Sequence, residues 1–95
     1  MPPVRRVVAD VLKPHQPSLA DFVRQMAAVE GVEGATATLV ERDEEVQNVK
    51  VTAEGEEVSP EQLESAIEDI GGSLHSVDEV SCGEYVVEER PTPQD

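Results

Sequence analysis

The side chains best placed for chemistry are Asp10 and His15 near one end of the chain and His75, Asp78 and Glu79 near the other. Asp10 interrupts the run Val7-Val8-Ala9-Asp10-Val11-Leu12, and a carboxylate midway along a central strand costs free energy unless it is hydrated, paired or bound to a cation. If the first and last strands are antiparallel neighbours, residues whose numbers sum to about 88 lie opposite each other, so that Asp10 faces Asp78, with Glu79 next along. Like charges so placed repel. They become compatible as oxygen ligands of a hard divalent cation, and Ca²⁺, which takes roughly 6 to 8 oxygens in flexible geometry, fits best. A register two residues away leaves the alternative that Asp10 pairs with Arg6 or Lys13 and no metal is involved. His15 and His75 fall at one end of the same sheet, where together they would bind a metal or sense pH. Two histidines are an incomplete zinc set, and the alternative is that both are simply exposed or packed.

Those residues need a scaffold, and the hydropathy pattern supplies one. Val4 to Leu12 alternates Val7, Ala9 and Val11 against Val8, Asp10 and Leu12, which predicts a strand, stopped by Lys13-Pro14-His15-Gln16-Pro17. Ser18, with Asp21 three residues on, caps a helix whose apolar stripe is Leu19, Phe22, Val23, Met26 and Ala27, ending near Glu30-Gly31. Two alternating strands follow, Ala35 to Glu41 and Val46 to Ala53, joined by the polar turn Arg42-Asp43-Glu44-Glu45. Ser59-Pro60-Glu61-Gln62 starts a second helix with Leu63, Ala66, Ile67 and Ile70 inward, and Gly71-Gly72 ends it. A last strand runs from about Leu74 to Val80. The order βαββαβ with right-handed crossovers gives an α+β, ferredoxin-like fold: a four-stranded antiparallel sheet, order 4-1-3-2, with both helices on one face. Residues 1–83 form this single domain, and residues 84–95 a short extra strand at Tyr85-Val86-Val87 and a flexible acidic tail. The face without helices would show Val8 and Leu12 beside Asp10, and Val40 beside Thr36 and Thr38.

Composition narrows the functions. The 95 residues carry 21 Asp+Glu against 7 Lys+Arg, a net charge of −14, with 2% aromatics. A chain of this size buries about 60–65% of its unfolded surface, which makes one two-layer core and no deep enclosed active site. Nucleic acid is excluded as a partner, because a phosphate backbone needs a basic stripe and the seven cations are scattered. An RNA-recognition sheet needs stacking rings, and the only aromatics are Phe22, spent on a helix core, and Tyr85. The lone Cys82 makes no internal disulfide and no Cys-x-x-Cys exists. Asp10 follows the N-terminal arginines too closely for a leader or membrane helix, so the expected address is the cytoplasm, with no membrane partner. The acidic excess suits a salt-loving host. No nucleophile constellation is present: Ser18 and Ser59 are caps, and Gly71-Gly72 ends a helix where a phosphate loop would begin one.

Three blocks, Val8-Ala9-Asp10-Val11-Leu12-Lys13-Pro14-His15-Gln16-Pro17-Ser18, Gln47-Asn48-Val49-Lys50-Val51-Thr52 and Gly71-Gly72-Ser73-Leu74-His75-Ser76-Val77-Asp78-Glu79-Val80, together with Glu30-Gly31-Val32-Glu33-Gly34, resemble the archaeal family of domain of unknown function 211. The resemblance covers Val4 to about Gly83. It implies a ferredoxin-like subunit without known enzymatic activity, assembling with itself into closed rings of about six or seven subunits, with calcium among the bound ions. It adds weight to Asp10, Asp78 and Glu79 as ligands, and His15 and His75 lie in the same blocks. The expected function is a self-assembling, Ca²⁺-responsive structural protein, as rings or as stacked rings or filaments. Two other readings stand beside it: a regulatory module holding a small molecule at subunit interfaces, and a metal-dependent enzyme with an interface site.

Overall fold

The computed structural model describes residues 1–87. Its elements are β1 (Val4–Pro14), α1 (Leu19–Ala27), β2 (Gly34–Arg42), β3 (Val46–Glu54), α2 (Pro60–Asp69) and β4 (Ser73–Cys82). All neighbours in the sheet are antiparallel, and the order is β2-β3-β1-β4, the expected ferredoxin-like arrangement written from the other edge. The parity of β1 decides the layers. Val7, Ala9 and Val11 join Val49, Val51 and Ala53 of β3 against Phe22 and Met26 of α1 and Leu63 and Ile67 of α2 in one buried cluster. Both helices start as their sequences predict: the Ser18 and Ser59 hydroxyls accept from the Asp21 and Gln62 amides at 3.1 and 3.2 Å. They satisfy donors that would otherwise be orphaned in the first turn.

Three boundaries differ from expectation. β1 continues past Leu12, because Lys13 and Pro14 still pair with Gln47 and Val46; the proline sits at the strand's last position, where no ladder donor is required. α1 stops at Ala27, short of Glu30-Gly31, where the amide of Ala28 turns to the Arg24 and Met26 carbonyls. Gly31 then adopts φ 89°, and a Cβ there would run into the Glu57 carbonyl, so the turn closes on glycine alone. Tyr85 lies in a bend, and Val86 and Val87 take no part in a strand, while the expected tail from Glu88 onward lies outside the described residues.

The register of β4 also differs. Val8 stands opposite Glu79, Ala9 opposite Val77, Asp10 opposite Ser76 and Val11 opposite Leu74. The pairing jumps past Asp78 and then past His75, so each is the extra residue of a β-bulge. Asp10 therefore does not face Asp78, because each bulge adds a residue to β4 and shifts the pairing beyond it.

Candidate functional site

Even-numbered residues of β1 point to the face opposite α1 and α2, and they place Arg6, Val8, Asp10 and Leu12 along its centre. The cross-strand neighbours from β3 are Glu54, Thr52, Lys50 and Asn48 in the same order. From β4 come Ser81, Glu79, Ser76 and Ser73. Arg6 ties three strands together: its guanidinium reaches Glu54 at 2.8 Å and Glu79 at 2.9 Å. Glu79 is thus an ion-pair partner of Arg6. Asp10 stands between Lys50 of β3 and Ser76 of β4 in register and is partly exposed, so water reaches its carboxylate and relieves the cost of its mid-strand position. The Ser76 hydroxyl donates to Asp78 at 2.8 Å, so the bulged carboxylate folds back on its own strand.

The two histidines part company. His15 turns to the β2–β3 hairpin, its Nε2 2.9 Å from the Asp43 carbonyl and its Nδ1 3.4 Å from the Arg42 guanidinium. A carbonyl only accepts and a guanidinium only donates, so this pair of contacts fits the tautomer with the proton on Nε2. His75 is exposed in its bulge on the opposite edge strand. Among the described residues, no three His, Cys, Asp or Glu side chains are grouped so as to hold a metal ion. Four of the five predicted residues therefore lie in one sheet and His15 in the bend just past β1, without converging on one point within a single chain.

The hairpin end also holds Lys13, which the sequence reading puts in the strand-stopping turn or beside Asp10 and which the structure turns inward. Lys13 is fully buried, its Nζ donating to the Pro14 carbonyl at 2.8 Å, Gln47 Oε1 at 3.1 Å and the His15 carbonyl at 3.5 Å. All three acceptors are neutral, and burial pushes its pKa below the usual 10.5. The signal was its odd number: it follows Val7, Ala9 and Val11 on the core side of β1.

Two further surfaces stand out. A cleft of about 740 Å³ opens at the end where β1 begins and β3 ends, with Arg6, Thr36, Thr52, Glu54 and Val86 among its walls. The two outer strands expose Leu39 and Val40 on β2 and Val77 and Val80 on β4, between 43% and 61% accessible. Among the described residues no helix is long and apolar enough to cross a membrane.

The geometry defines a small α+β domain whose chemistry-bearing residues lie on the sheet face away from the two helices and along the two outer strands. Its sequence matches the family model of domain of unknown function 211, described as an uncharacterized ArCR family, over residues 5–95, and the chain belongs to that archaeal family. It is similar to the uncharacterized protein MJ0319 of Methanocaldococcus jannaschii, at 41% identity over 92 residues, which cover 97% of this chain and 95% of the relative.

Proposed function

We propose that this protein is a self-assembling, non-enzymatic structural subunit of the cytoplasm whose oligomerisation through its sheet edges responds to Ca²⁺. The observation that carries the reading is the pair of unlike outer strands, unpaired on their outer side among the described residues, each long and each bearing two exposed aliphatic side chains. An unpaired edge is a template for another strand unless it is covered or charged. In the order β2-β3-β1-β4, placing β2 of a second copy beside β4 of the first keeps every strand antiparallel to its neighbour and keeps all helices on one side. Such a contact joins two different surfaces, so it closes into a ring or propagates as a filament.

Calcium enters through charge. Copies at −14 repel, and a divalent ion shared between the carboxylates of adjacent subunits would remove repulsion and add ligand bonds at once. Asp78, Glu79 and His75 lie on the edge strand that meets the neighbour, and Asp10 lies one strand in, which makes a site completed between copies the form consistent with their dispersal in one chain.

The test is particle mass by light scattering in molar salt, with Ca²⁺, Mg²⁺ or chelator, for the native chain and for Val40→Asp and Val77→Asp. The reading expects oligomers that both edge variants reduce to monomers of unchanged circular dichroism, and growth with Ca²⁺ that Asp78→Asn abolishes. A native chain that stays monomeric refutes assembly. Particles of constant mass in every ionic condition refute the calcium response.

A further inference from the structure

The two outer strands carry matching irregularities. On the helix side β4 presents Leu74, Val77 and Val80, opposite Val11, Ala9 and Val7 of β1, so its inward residues recur at every third position because His75 and Asp78 are bulged. On β2 the same side shows Ala35, Ala37 and Leu39, opposite Ala53, Val51 and Val49; the pairing then skips Val40 and sets Arg42 opposite Gln47. The inward step from Leu39 to Arg42 is thus also three residues long, with Val40 as the extra one. A regular strand laid along the outside of β4 loses register at a bulge, whereas β2 brings a bulge of its own. Leu39, Val77 and Val80 point to the helix layer, since each pairs with a core residue, yet they stay between 43% and 48% accessible. Charge is also left over at the end of α2. Its last turn holds Glu68 and Asp69 and no base, the reverse of what the carbonyl end of a helix favours. Residues 70–72 are all that separate that end from β4, so it lies close to Leu74.

We propose that β2 of a second copy pairs with the outside of β4 in one antiparallel register, Leu39 against Val77 and Arg42 against Leu74, so that bulge meets bulge and Arg42 answers the acidic end of α2. The inference deepens the assembly reading and rests on it. In this register Val40 of the second copy lies opposite the bulged His75, and Asp78 stays an extra residue, as it is against β1. The helix side continues with Ala37 against Val80 and Ala35 against Cys82, which repeats the way Val7 and Ala9 of β1 meet Val80 and Val77 from the inside. On the other side Thr38 meets Glu79 and Glu41 meets Ser76, a hydroxyl for each carboxylate. Arg42 is exposed and makes one long contact in its own chain, 3.4 Å to His15 Nδ1, which leaves its remaining donors for a neighbour. The register one bulge further along sets Leu39 against Val80 and also matches bulge to bulge. It brings Glu41 against Glu79, two facing carboxylates, and carries Arg42 away from the end of α2. Charge therefore selects the first.

The test mixes two full-length chains in molar salt with Ca²⁺, both with Cys82→Ser to remove the exposed native thiol. One carries Leu39→Cys, and the other, isotope-labelled to shift its mass, carries Val77→Cys or Val80→Cys. Directly opposed antiparallel residues have Cα atoms about 4.5–5.5 Å apart, inside the disulfide range of about 4.4–6.8 Å, and a pair displaced by one inward position falls outside it. The register predicts the mixed disulfide as the main oxidation product with Val77→Cys and background levels with Val80→Cys. Arg42→Glu should lower the particle mass, and adding Glu68→Lys to the same chain should restore it, which a merely local effect on the hairpin would not allow. Cross-linking through Val80→Cys in place of Val77→Cys overturns the proposal, as does a mass loss in Arg42→Glu that Glu68→Lys leaves unrescued. Light scattering on the same samples separates the two readings: particles of oligomeric mass with the wrong cross-link refute the register and leave edge assembly standing, while a native chain that stays monomeric refutes both.

Discussion

Replacing Lys13 with methionine tests whether a buried ammonium is held by neutral oxygens alone. In the native chain Nζ makes two short bonds, 2.8 Å to the Pro14 carbonyl and 3.1 Å to Gln47 Oε1, with a longer one to the His15 carbonyl. Each bond from a charged donor contributes about 1.5–3 kcal/mol, and removing the donor leaves partly buried acceptors without it. Against this, methionine fills a similar volume and removes the cost of keeping a charge out of water. The balance is a net loss of about 2 kcal/mol at neutral pH, since two well-made bonds outweigh the partial desolvation of one ammonium. The pH dependence is the sharper criterion. Burial lowers the folded pKa below 10.5, so between that lowered value and 10.5 the unfolded chain binds the proton more tightly, and native stability rises with pH. Below the lowered pKa the destabilising cost of burying the charge is fully present, and it is relieved as pH climbs toward 10.5. The stability difference between native and Lys13→Met chains, from urea midpoints at several pH values between 7 and 10, should therefore widen with pH. All other titrating groups are common to both chains and cancel. A variant as stable as the native chain, or a difference that narrows as pH rises, would refute the neutral cage and point to an unrecognised carboxylate partner.

Two further outcomes are expected. Phe22→Ala empties the centre of the only helix–sheet core among the described residues and should cost about 3–5 kcal/mol by denaturant unfolding, with the unfolding slope unchanged. Arg6→Met leaves Glu54 and Glu79 converging on an apolar side chain; the loss should be about 1–2 kcal/mol in dilute buffer and shrink in molar salt, because the pairs are partly exposed and therefore screened.

What could be read from sequence follows from how local the cause is. The two serine caps, the Gly71-Gly72 stop after α2 and the odd–even parity of β1 each depend on residues within a few positions, and each places its element correctly. The same parity, continued one step, marks Lys13 as inward, but charge conventionally argues for a loop, and the adjacent Pro14 reinforces that reading. Register across strands is not local. The bulges at Asp78 and His75 insert one residue each into β4, so its residues opposite Val11, Ala9 and Val7 are Leu74, Val77 and Val80, three apart instead of two; a fixed sum of residue numbers assumes unbroken alternation and misses that spacing. The expected Asp10–Asp78 pair therefore gives way to Asp10 between Lys50 and Ser76.

The bulges bear on assembly as well as on register. Placing Asp78 and His75 as extra residues on an outer strand interrupts the even spacing that an added strand needs, which is one way natural sheets guard an edge. Val77 and Val80 flank the bulged Asp78 and remain exposed, so β4 combines an attractive apolar pair with a charge set between them. A partner strand gains the apolar contact only if that carboxylate is neutralised or screened. At 0.1 M salt the Debye length of about 10 Å lets the carboxylates surrounding the edge oppose contact, and at 1 M it falls to about 3 Å, leaving only groups as close as Asp78 to be answered by a bound cation. Edge assembly in this chain is therefore expected to require both high ionic strength and a divalent ion. Asp78→Asn should leave the salt requirement in place and abolish the response to the divalent ion, its particles keeping one mass with Ca²⁺ or with chelator.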